Sequence, residues 1–153
     1  KPSGNMIDFT RQRLIFQAPS GYTTDITPST VDGFSYNDEI FMVVSLSLKG
    51  LNSKKNYLRV IETGDKMTLA EYVHTHANVD DETWDGVQWI LTEEDGPISL
   101  AVQNVRWLNW KKAFAKLFVD CPVLNAEIGA GNYRRRAEDI ARAVRAYNAG
   151  DCE

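Results

Sequence analysis

The only two cysteines of the chain, Cys121 and Cys152, bracket a helical hairpin at its C-terminal end. Asp120-Cys121-Pro122 reads as the opening of a short helix, with Pro at the first helical position. Gly129-Ala130-Gly131-Asn132-Tyr133 reads as its close. An amphipathic helix follows, and Tyr147-Asn148-Ala149-Gly150-Asp151-Cys152 ends it. Antiparallel helices joined by a short turn bring their outer ends together, so the two cysteines fall within disulfide reach. Persistent disulfides belong to oxidising compartments, so this pair bears on location. The competing reading makes Cys121 a thiolate at a helix start, where thiol pKa values fall.

The chain ahead of these helices reads as strands. Leu14-Ile15-Phe16 and Tyr22-Thr23-Thr24-Asp25-Ile26 flank the turn cluster Pro19-Ser20-Gly21. Thr27-Pro28-Ser29-Thr30 has the makings of one helical turn, and Gly33-Phe34-Ser35-Tyr36 resumes an extended course. Ile40 to Leu48 is an apolar, β-branched run whose alternation puts Val44, Leu46 and Leu48 on one face. Tyr57 to Glu62 and Lys66 to Val73 flank Thr63-Gly64-Asp65, the pattern of a hairpin. Val87 to Leu91 and Ile98 to Val102 flank Glu93 to Pro97, a second hairpin. Residues 77–86 are polar and acidic and read as a loop. Strands joined by short turns pair antiparallel, because parallel pairs need long crossovers.

From Trp107 the period changes. Trp107, Trp110, Phe114, Leu117 and Phe118 follow helical spacing, as do Ala137, Ile140, Ala141, Val144 and Tyr147. Strands first and helices last define an α+β domain. The expected architecture is an antiparallel sheet or partly open barrel over residues ~12–102, then two or three helices over ~107–148. We expect one domain: residues 1–5 as a disordered lead, 6–105 as a β-rich part and 106–153 as a helical part. The expected core is Leu14, Phe16, Phe34, Val44, Leu58, Val60, Leu69, Trp89, Leu100, Trp110, Phe114, Leu117, Ile140 and Val144.

Composition excludes some classes. A chain of 153 residues is about one domain long. No run of eighteen apolar residues is present, so no transmembrane segment is expected. The net charge of −4 hides a split: residues 1–105 carry 8 Lys/Arg against 15 Asp/Glu, and residues 106–153 carry 9 against 6. The pI near 5.2 speaks against a nucleic-acid binder. The first residue is Lys rather than Met, which reads as a processed or trimmed chain from which a leader is missing.

Several pieces resemble a family of uncharacterised secreted or cell-envelope proteins from Bacteroidota. They are Thr27-Pro28-Ser29-Thr30-Val31-Asp32-Gly33-Phe34, Tyr57-Leu58-Arg59-Val60 with Gly64, Phe118-Val119-Asp120-Cys121-Pro122-Val123-Leu124, and Tyr147-Asn148 with Cys152. The resemblance runs from about residue 6 to 152. It implies an exported protein, secreted or periplasmic, and carries no catalytic residues with it.

Residue chemistry offers few sites. His74-Thr75-His76 puts two imidazoles on one strand face, and Asp80, Asp81 and Glu82 follow as oxygen donors. That constellation would suit a metal-dependent hydrolase; its ordinary reading is a solvated strand end. Trp84 stands in the acidic segment, and residues 75–86 would form the longest irregular loop, a natural contact surface. The ordinary alternative has Trp84 tucked into the core. Arg134-Arg135-Arg136 precedes the last helix and suits an anion, but Glu138 and Arg142 make an i,i+4 pair on the same helix. There is no GxSxG, P-loop or GxGxxG. The sequence therefore points to a non-enzymatic binding or interaction module of the cell envelope, with no cofactor expected. Its partner would be a protein or a glycan, and its binding residues Trp84, Asp80, Asp81, Glu82, His74 and His76.

Overall fold

The computed structural model describes residues 6–8, 13–46, 54–77, 83–93, 96–101 and 110–152. Side chains are described over 13–45, 54–72, 89–92 and 110–152. Nine strands precede three α-helices along these residues: β1 Met6–Asp8, β2 Arg13–Gln17, β3 Thr23–Ile26, β4 Gly33–Tyr36, β5 Glu39–Leu46, β6 Lys54–Glu62, β7 Met67–Ala77, β8 Thr83–Glu93, β9 Gly96–Ala101, α1 Trp110–Ala115, α2 Pro122–Ala130 and α3 Ala137–Ala149. The expected α+β order holds.

β1, β2 and β3 form one three-stranded sheet, and β4 to β9 form a six-stranded sheet in sequence order. Both are antiparallel meanders, and the larger sheet is open, ending on β4 and β9. Pro97 sits in the edge strand β9, where a missing backbone donor is tolerated. By compactness the chain divides into Lys1–Arg59 with Tyr72–Val87, and Val60–Glu71 with Gln88–Glu153. The division falls within β6, β7 and β8.

In the first unit, two turns set the strand pairing. Ala18 to Tyr22 is a three-residue hairpin loop: the Ala18 amide donates to the Tyr22 carbonyl at 2.8 Å, and the Gly21 amide donates to the Ala18 carbonyl at 2.9 Å. Gly21 has φ +84, the left-handed conformation that closes this loop type with a bulge. β4 and β5 turn on Asn37 and Asp38, whose φ values of 49 and 62 match a type I′ turn. Tyr36 then faces Glu39, and the register runs on to Gly33 opposite Met42. Thr27 to Thr30 forms a single turn, closed by the Thr30 amide on the Thr27 carbonyl at 3.0 Å.

The core of this unit includes Leu14, Phe41, Val44, Tyr57 and Leu58. Adjacent strand residues point to opposite faces, so burial of both Tyr57 and Leu58 means that β6 is covered on both sides here. Phe34 stacks on Phe41 with centroids 4.7 Å apart and meets Tyr57 edge-on at 5.1 Å. The Tyr57 hydroxyl donates to the Ile26 carbonyl at 2.9 Å, fixing β3 beside β6.

The second unit has the larger continuous core. Met67, Leu69 and Leu91 from the sheet pack with Trp110, Phe114, Phe118, Leu124, Ile128, Tyr133, Ile140, Val144 and Tyr147. A chain of rings runs through it: Trp110 on Phe114 at 4.6 Å, Phe114 to Phe118 at 5.2 Å, and Phe118 to Tyr147 at 5.2 Å. The first helical segment is short. It ends in a 3-10 turn over Lys116–Phe118, and Phe118 stays buried on the stripe of Trp110 and Phe114 and meets Tyr147 of α3.

Several expectations need correction. Phe16 is not core; it is 44% exposed, because it lies beside the tip of the β2–β3 hairpin. Phe34, Val60, Trp89 and Leu117 are half-buried rather than buried. Residues 75–86 do not form one long loop. β7 runs to Ala77 and β8 starts at Thr83, since pairing within the sheet outweighs the polar composition of these residues. Trp107, Leu48 and the side chain of Leu100 lie outside the described residues.

Candidate functional site

His74 and His76 both lie on β7, two residues apart. Trp84 lies on β8 rather than in a loop. The side chains of all three, and Asp80, Asp81 and Glu82 altogether, lie outside the described residues.

The C-terminal unit uses its polar residues as ties. The Sγ atoms of Cys121 and Cys152 stand at bonding distance, 2.11 Å, with their Cα atoms 4.5 Å apart, as the bracketing of the helical hairpin foretold. Asn148, in the last turn of α3, clamps the β6–β7 turn. Its Oδ1 accepts from the amides of Lys66 at 3.1 Å and Met67 at 2.9 Å, and its Nδ2 donates to the Met67 carbonyl at 2.8 Å. Gly64 makes room for this: a Cβ there would run into the Asn148 side chain. Beside it, the Tyr147 hydroxyl donates to Asp120 Oδ2 at 2.7 Å, and Lys66 Nζ lies 5.1 Å from the Tyr147 ring centre. Arg145 pairs with Glu62. Residues from three separate stretches of sequence, 62–67, 120–121 and 145–152, therefore meet in one structural joint.

Arg136 and Arg142 are also tied to the start of α3. Asp139 is buried at the third position of α3, where a carboxylate answers the unpaired amides of a helix start. It accepts from Arg136 Nε at 2.8 Å and from the Arg134 amide at 2.9 Å, and pairs with Arg142 at 3.2 Å. These contacts, the Arg136 hydrogen bond first, hold its pKa below the ordinary carboxylate value. Arg142 thus pairs with Asp139, three residues back, and not with Glu138 as its spacing suggested. It also lies 4.4 Å from the Tyr133 ring centre and donates to the Asn132 carbonyl at 2.7 Å. Arg135 lies over the Trp110 ring at 5.9 Å. Burial, and then Glu127, raise the Tyr133 pKa.

A different surface stays open. In the first unit, the face of the β2–β3 hairpin that carries Leu14 and Ile26 also carries Phe16, Ala18, Tyr22 and Thr24. This follows from the pairing of Leu14 with Ile26 and Phe16 with Thr24, and from the Ala18–Tyr22 closure. Leu14 is buried at the root of this face. Toward the tip the cover ends, leaving Phe16 44% and Tyr22 69% exposed. At the opposite, charged face Arg13 pairs with Asp25. Sequence reading missed this site by counting Phe16 as core. The available signal was position: both aromatics stand within three residues of Pro19-Ser20-Gly21, and residues beside a hairpin turn project beyond the body of a sheet.

No protein-family model, no curated protein and no solved structure matches this chain.

Proposed function

We propose that this chain is a non-enzymatic binding module of the cell envelope, exported to an oxidising compartment, that engages a protein or glycan there. The observation that carries the reading is the pair of exposed aromatics, Phe16 and Tyr22, on one face of a hairpin. Large rings left in water forgo favourable burial, and recognition on loops of a rigid scaffold is a common reason for it. The Cys121–Cys152 pair supports the compartment, because such bonds persist where no reducing pool removes them. The resemblance to Bacteroidota envelope proteins points the same way. Cosedimentation with cell-envelope fragments tests the reading. The protein should pellet with them, and Phe16→Ala/Tyr22→Ala should stay in the supernatant. Equal pelleting of both proteins, or of neither, would overturn it.

A second reading, a metal-dependent hydrolase built on His74, His76 and the 80–82 acids, is favoured by the placement of both histidines on β7. Elemental analysis of native protein decides it. Stoichiometric zinc or manganese, lost in His74→Ala/His76→Ala, would promote it over the binding module.

A further inference from the structure

We propose that the β2–β3 hairpin tip binds an uncharged oligosaccharide, stacked on Phe16 and Tyr22; this rests on the binding-module reading above. The argument begins with charge. Residues 14–24 carry no ionisable acid or base except the Tyr22 phenol. The charged residues on either side, Arg13 and Asp25, neutralise each other as an ion pair. Among the described residues of the hairpin, an anionic polymer would find no cation at the tip, and a basic partner would find no carboxylate.

The chemistry that is present suits sugars. Aromatic faces accept the C–H faces of pyranose rings, and Tyr adds a hydroxyl at the wet end of its ring. Ser20 adds an exposed hydroxyl in the loop to that of Tyr22, two residues on. These both donate and accept hydrogen bonds, the bonding capacity that sugar hydroxyls share. The backbone behind them is fixed by the bulged loop at Gly21 and by the four-residue register of β2 with β3. A tip held in this way loses little entropy on binding.

Size decides against a folded protein as the occupant. A stable protein interface takes about 800 Å² from each partner. The exposed parts of two aromatic rings offer roughly 200 Å², the scale of a short saccharide. Insertion into a bilayer would carry the Ser20 hydroxyl away from water without a partner, which is unfavourable.

The test is direct binding of the intact protein to an array of neutral glucans, mannans, galactans and xylans. Sulfated and uronic-acid glycans share the array, and phosphatidylcholine vesicles are assayed beside it. Retention on one or more neutral glycans is expected. Tyr22→Ala, at a position 69% exposed, should weaken that binding about tenfold with an unchanged Tm. Phe16→Ala should act in the same direction, and its fold is checked by circular dichroism. Retention on charged glycans or vesicles alone overturns the proposal, as does full retention of Tyr22→Ala on the neutral glycans. If no glycan is retained but the protein still pellets with envelope fragments through Phe16 and Tyr22, the saccharide proposal fails and the binding-module reading stands. If pelleting fails too, both fall.

Discussion

The C-terminal unit and the β2–β3 hairpin use aromatic side chains in opposite ways. Trp110, Phe114, Phe118 and Tyr147 form a buried chain of rings; its Tyr147 end is tied to Asp120, and the Trp110 indole Nε1 at the other end is buried without a hydrogen-bond partner among the described residues. Phe16 and Tyr22 stand in water on a hairpin whose residues 14–24 carry no Lys, Arg, Asp, Glu or His. The difference lies in what surrounds each ring, not in the ring itself. Where an Asn clamp and a disulfide tie one end of α3 and a buried carboxylate the other, the aromatics supply cohesion. Where a three-residue loop projects two rings from the end of a face, they supply a surface. The arginines and the histidine strand attract the eye in the sequence, but Arg136 and Arg142 are spent on the helix start through Asp139.

The comparison breaks first, and most visibly, at the disulfide. Cys121→Ser/Cys152→Ser removes a cross-link spanning 31 residues. The expected loss is about 3–4 kcal/mol in the chain-entropy account. For a chain of this length that lowers Tm by roughly 10 °C. Differential scanning calorimetry reads it, and binding by the folded fraction should be unchanged. Next comes Asn148→Ala, which strands two backbone donors and one acceptor at the β6–β7 turn. The expected loss is about 2–3 kcal/mol, read by urea unfolding.

Acid sharpens the comparison further. The folded pKa of Asp139 is depressed, so the unfolded chain takes up this proton first as pH falls. Its contribution is therefore complete above about pH 4 and is lost as pH drops through the folded value. Urea midpoints of the wild type and Asp139→Asn should differ at neutral pH and converge in strong acid. Tyr22→Ala should have the smallest effect on stability, within about 0.5 kcal/mol, as for an exposed side chain without polar ties.

Much of the fold was legible because its signals are local. Pro19-Ser20-Gly21 and Thr63-Gly64-Asp65 mark turns, and Pro122 and Gly131 mark the ends of a helix. The cysteine bracket was readable because a helical hairpin has few geometries. What failed depended on partners far along the chain. Polar composition hid the continuation of β7 and β8, since a sheet neighbour decides strand length more than the residues themselves. Phe16 has the strand pattern of a core residue, and only its place at the far end of a face exposes it. Asn148 bonds to residues 81 and 82 positions earlier, which no periodicity reveals. The candidate site was missed for the same reason: exposure of a ring is a property of the assembled face.

The most direct test of this division of labour is a paired measurement of Tm and of binding to a retained neutral glycan for Tyr22→Ala and Asn148→Ala. The account predicts a double dissociation. Tyr22→Ala should lose affinity about tenfold at unchanged Tm, and Asn148→Ala should melt several degrees lower with its affinity intact. A Tyr22→Ala protein that binds like the wild type, or an Asn148→Ala protein that is fully stable yet no longer binds, would contradict it.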